Sequence, residues 1–98
     1  MKEKFTDHRN RSVYRLPRDA HTGKFALKYN MEFITAFMFD EARYLATELI
    51  AVRIGDYWGA IDKNGVLILP FEFDRFRRID DFTAFARYNG KYGIIYLR

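Results

Sequence analysis

Apolar and polar residues alternate most clearly between positions 49 and 69. Ile50, Val52 and Ile54 alternate with Leu49, Ala51 and Arg53 up to Gly55-Asp56, and Tyr57-Trp58-Gly59-Ala60-Ile61-Asp62 comes next. Beyond Asn64-Gly65 the run Val66-Leu67-Ile68-Leu69 stops at Pro70. Period-two patterning rich in β-branched and aromatic residues predicts three short strands. Gly-Asp and Asn-Gly tolerate the positive φ of tight antiparallel turns, so both breaks are expected to be two-residue hairpin turns. Pro70 lacks an amide hydrogen and is expected to close the third strand. The pattern is that of a β-meander.

One stretch carries the opposite signal. Phe33, Ile34, Phe37, Met38, Ala42, Leu45 and Leu49 recur at helical spacing, which alone predicts an amphipathic helix over residues 32–47.

An internal repeat decides between the two. A shift of 34 residues places Phe37-Met38-Phe39-Asp40 on Phe71-Glu72-Phe73-Asp74 and Arg43 on Arg77. It also places Arg53 on Arg87, Gly59 on Gly93, Ile61 on Ile95, Ala26 on Ala60, Asn30 on Asn64 and Ile34 on Ile68. The later copy of 32–47 begins at Gly65 and holds Pro70 in its interior, so it cannot be that helix. Residues 33–36 are therefore read as strand, with any helix confined to a short turn near Asp40 to Ala46. The expected fold is all-β, an antiparallel meander of hairpin repeats.

The segment from Gly55 to Asp74 resembles the bacterial WG-repeat unit: a turn glycine, an aromatic-Gly pair, Ile-Asp, a glycine turn, β-branched residues, Pro, then an aromatic-Asp pair. A truncated copy stands at Asn89-Gly90-Lys91-Tyr92-Gly93-Ile94-Ile95, with Tyr92 in the usual Trp place. An earlier one, Gly23-Lys24-Phe25-Ala26-Leu27, has lost the second glycine and runs one residue out of phase. The resemblance implies a β-hairpin repeat protein over residues 23–98 that serves as an interaction module without a shared catalytic motif. In such a motif Trp58 and Tyr92 are expected in the core. Gly59 and Gly93 remove a side chain so that another backbone or ring can approach. Asp40 and Asp74 are expected to tie the turn that follows each by accepting backbone N–H bonds.

Ninety-eight residues make one domain, and the ten Phe, seven Tyr and one Trp give it a dense aromatic complement. There are no cysteines, which excludes disulfides and thiolate chemistry. No signal-peptide pattern or apolar run of membrane-spanning length is present, so a cytoplasmic protein is expected. The net charge of +4 is local. Residues 1–18 hold six basic and two acidic side chains, while 19–98 hold eleven of each. Residues 1–22 are thus read as a basic segment preceding the single domain.

Catalytic groups are scarce. Ser12 is the lone serine, and His8 and His21 stand thirteen residues apart without metal-ligand spacing. Asp80-Asp81 reads as a surface turn, because adjacent carboxylates on an extended chain point apart. A non-catalytic protein with no cofactor or metal is expected. Another protein is the expected partner, with self-association a further reading because so few repeats are present. The small size suits an inhibitor or an immunity-type protein of a bacterium or phage. The competing reading is nucleic-acid binding by Arg9, Arg11, Tyr14, Arg15 and Arg18, with Arg75, Arg77 and Arg78 as a second cluster.

Overall fold

The computed structural model describes residues 14–46 and 49–97. Among the described residues every element is a strand. A three-stranded antiparallel sheet is formed in the order β1 (Tyr14–Arg15), β2 (Lys28–Tyr29), β3 (Glu32–Phe33). The main sheet is a six-stranded antiparallel meander. Its strands are β4 (Glu41–Ala46), β5 (Leu49–Ile54), β6 (Tyr57–Asp62), β7 (Leu67–Arg78), β8 (Thr83–Tyr88) and β9 (Lys91–Tyr96). No helix long and apolar enough to cross a membrane occurs among the described residues.

The turns are explained by their residues. Gly55, Asn89 and Gly90 have φ of 63°, 54° and 82°, and they join strands through the expected two-residue loops. The Asn64-Gly65 turn differs from expectation. Asp62 donates its amide to the Val66 carbonyl at 3.0 Å, which closes a three-residue loop ending in Gly65 at φ 82°. The Asp62 carboxylate also accepts the amides of Asn64 and Val66. Asn30-Met31 makes a further turn at φ 52° and 70°, at the position that the repeat pairs with Asn64.

Three expectations are corrected. Residues 33–36 are not a strand: β3 ends at Phe33, and the chain bends as the Ile34 and Thr35 amides both donate to the Leu27 carbonyl. Asp40 to Ala46 contains no helical turn: Glu41–Ala46 is β4, paired with β5 from Glu41↔Arg53 onward. The helical spacing misleads because alternate β4 side chains serve opposite faces. Leu45 joins one core cluster and Ala42 packs on the other. Pro70 also does not end its strand. β7 runs through it, and the register passes from Ala60↔Leu69 to Trp58↔Phe73, so Pro70 lies in an irregularity where the ladder needs no amide hydrogen from it.

Both faces of the β5–β6 hairpin are buried. One cluster holds Leu27, Phe39, Ile50, Val52 and Ile61, with Phe25, Ala42 and Phe71 packed against it. The other holds Leu45, Ala51, Trp58, Ala60, Phe76, Ala84 and Ala86, with Leu69, Phe73 and Ile95 alongside. These clusters are successive copies of one arrangement. Phe39, Ala42, Ile50, Val52 and Ile61 stand 34 residues before Phe73, Phe76, Ala84, Ala86 and Ile95. Phe25 and Leu27 stand 33 before Trp58 and Ala60, matching the phase slip of the first copy, and the Phe25↔Phe39 bridge is the counterpart of Trp58↔Phe73. Volume is exchanged within the set: Ala42 becomes Phe76 while Ile50 and Val52 become Ala84 and Ala86.

Candidate interaction surface

Trp58 is the centre of the second cluster. It is 7% exposed, pairs with Arg53 on one side and Phe73 on the other, and has the Arg43 guanidinium 5.0 Å from its ring centroid. Gly59 is required by the chain beside it. A Cβ there would stand 2.6 Å from the Leu69 carbonyl oxygen and 3.2 Å from the Phe71 amide nitrogen, closer than van der Waals contact allows. The expected close backbone approach is therefore present at Gly59.

The second copy of the motif is different. The motif predicts a core place for Tyr92, but this ring is 57% exposed, and a Cβ on Gly93 would meet nothing within 4 Å. The physical reason is position. β9 closes the sheet, and among the described residues no strand lies beyond it. The exposed positions form a set: Ile79, Phe85, Tyr92 and Ile94 are 53%, 36%, 57% and 49% exposed. Their counterparts 34 residues earlier are Leu45, Ala51, Trp58 and Ala60, all members of one buried cluster. In that earlier unit, Phe76, Ala84 and Ala86 of the next unit provide the cover. In the last unit the same face is open, and the Phe85 and Tyr92 rings stack on it at 4.9 Å and 14°. Sequence reading misses Ile79, Phe85 and Ile94, although their alignment with core positions is visible in the repeat.

Asp40 accepts a backbone amide at a turn as expected, although the turn is distant in the chain, whereas Asp74 is bound by a side chain. Asp40 accepts the Gly55 amide at 2.7 Å and the Lys24 ammonium at 2.6 Å, so it braces the β5–β6 turn fifteen residues away. Asp74 receives a forked bond from Arg87, Nε to Oδ1 and Nη2 to Oδ2, both at 2.9 Å. Lys24, then the Gly55 amide, hold the Asp40 carboxyl below its ordinary range, and Arg87 does the same for Asp74. The Arg87 guanidinium also lies 5.7 Å from the Tyr92 ring centroid.

Among the described residues, the basic candidates fall on different elements, with Arg15 on β1 and Arg75, Arg77 and Arg78 on β7. Arg9 and Arg11 lie outside the described residues. Tyr14 packs on Tyr29 at 4.9 Å and on Tyr44 at 6.4 Å, and its carbonyl accepts the Tyr44 hydroxyl at 2.8 Å. Arg15 lies on β1, and Arg18 donates to the Gly23 carbonyl and bridges Phe25, so the basic segment joins the sheet from Tyr14 onward. Arg75 and Arg77 stand across from Arg87 and Phe85, whereas Arg78 stands across from Ala84 and pairs with Asp81. Asp80 accepts the Phe82 and Thr83 amides, which fixes it as a turn residue. Among the described residues no group of three or more His, Asp or Glu could hold a metal ion.

No curated protein and no solved structure matches the chain. Residues 58–92, which run from the buried ring of Trp58 to the exposed ring of Tyr92, match the family model described as WG containing repeat.

Proposed function

We propose that the protein is a non-catalytic interaction module that binds another protein through the open face of its last unit. The observation that carries this reading is the equivalence of Ile79, Phe85, Tyr92 and Ile94 with four buried positions of the preceding unit. A face built to be covered, bearing stacked aromatic rings beside Arg87, has the composition of an interface centre. The match of residues 58–92 to the WG containing repeat supports the same reading, since that family suggests a β-repeat interaction module. A partner whose own working surface is covered in this way is inhibited by occlusion, which is the role we assign to this chain.

Retention of partners by the tagged full chain, after nuclease treatment, tests the reading. A discrete protein held by the wild type and lost by Phe85→Asp and Ile94→Asp, with melting temperatures unchanged, supports it. Capture that disappears with nuclease and persists in both variants overturns it in favour of a polyanion.

A further inference from the structure

The β6–β7 pair shows what a WG strand accepts at its outer edge, and β9 is a WG strand whose outer edge is vacant among the described residues. In β6 the hairpin register with β5 leaves the backbone groups of Trp58, Ala60 and Asp62 directed at the next strand, as the Asp62 amide to Val66 carbonyl bond confirms. By the same alternation, the β8–β9 register directs the backbone groups of Tyr92, Ile94 and Tyr96 outward. In β7 the segment Leu69-Pro70-Phe71 swings over Gly59, where a side chain would block it. Phe71 then enters the cluster of Phe39, Val52 and Ile61. The 34-residue counterparts of those three are Phe73, Ala86 and Ile95. They line a shallow depression of about 290 Å³ beside Tyr88 and the open Gly93. Seat and socket are both present, without an occupant among the described residues.

We propose that the β9 edge binds an extended segment of a partner protein with the pattern aliphatic-Pro-aromatic. That segment adds as an antiparallel strand, its proline crossing Gly93 and its aromatic ring filling the depression between Phe73, Ala86 and Ile95. The proposal rests on the interaction-module reading and narrows it to one binding mode. The amides and carbonyls of Tyr92, Ile94 and Tyr96 supply affinity independent of sequence, and the glycine seat and its depression supply selectivity. The aliphatic side chain before the proline and the next aromatic one fall on the opposite face, as Leu69 and Phe73 do against the Trp58 cluster. There they cover Ile94 and Tyr92.

The probe is a fluorescent peptide with the sequence of residues 66–74, flanked by lysines for solubility and titrated into the full chain. Saturable one-to-one binding is expected, together with slowed hydrogen exchange at the Tyr92, Ile94 and Tyr96 amides. Gly93→Val is expected to weaken binding by roughly tenfold or more, about 1.4 kcal/mol. Its side chain enters open space, so the chain itself stays folded with an unchanged melting temperature. Equal binding by a scrambled peptide, or full binding by Gly93→Val, overturns the proposal. So does a free chain that dimerises with these amides already protected, because a second copy is then the occupant. If the captured partner of the preceding test is lost with Phe85→Asp but kept by Gly93→Val, the module stands and this edge falls; if the wild type captures no protein, the module itself falls.

Discussion

Arg87 and Asp74 face each other across the β7–β8 pair in a forked ion pair, with both nitrogen–oxygen distances at 2.9 Å. The planar guanidinium matches the carboxylate at two points, and an ammonium can match only one. Arg87→Lys is expected to lower the melting temperature measurably, and Asp74→Asn to do the same. A double variant no worse than either single one would show the two acting as a unit.

The same pair sets an acid dependence. Asp74, Asp40 and Asp80 have carboxyl groups held below their ordinary range by Arg87, by Lys24, and by the Phe82 amide respectively. The folded state therefore binds their protons later than the unfolded state as pH falls. Their stabilisation is complete at neutral pH and is lost below about pH 4, as the folded values are approached. Melting temperature measured from pH 7 to pH 2 should drop in that window. The drop should be shallower in Asp74→Asn and in Asp40→Asn. A flat profile in the wild type would contradict the hydrogen-bond assignments.

Gly59 and Gly93 occupy the same motif position and are expected to respond oppositely. Gly59→Ala places a methyl group against backbone atoms that cannot rotate away, at a cost of about 1–3 kcal/mol. Gly93→Ala meets nothing and replaces the residue least suited to a strand, so it is neutral or slightly stabilising. Urea midpoints of the two variants check both signs.

Trp58 and Tyr92 form a second contrasting pair. Trp58→Ala empties the centre of a cluster and is expected to cost about 3–5 kcal/mol. Tyr92→Ala alters an exposed ring and should stay within about 0.5 kcal/mol. Comparable losses at both sites would mean that the last unit is covered in solution.

Much of the fold is legible in the sequence because its cues are local. The alternation from Leu49 to Asp62, and the Gly55-Asp56 and Asn89-Gly90 turns, need only neighbouring residues to be read. The 34-residue repeat then carries the strand pattern to β8 and β9. Where sequence and structure part, the deciding partner is distant in the chain. Ala42 and Leu45 mimic one helical face because each is drawn to a different cluster on opposite sides of the sheet. Asp74 is bound by a guanidinium thirteen residues on, which no turn rule contains. The exposure of Tyr92 depends on whether another strand packs beyond β9, and the motif at Tyr92-Gly93 is locally as complete as the one at Trp58-Gly59.

The two-sided burial of β6 has a consequence for how the molecule comes apart. Ile61 anchors one cluster while Trp58 and Ala60 anchor the other, so a single six-residue strand is the shared wall of both. Repeat arrays ordinarily open one unit at a time. Here the first unit cannot melt without stripping one side of β6, nor the second without stripping the other. Loss of either therefore pulls down its neighbour. Unfolding becomes a single all-or-none event, with fraying left to the β4 and β9 margins, where only one side of the ladder is held.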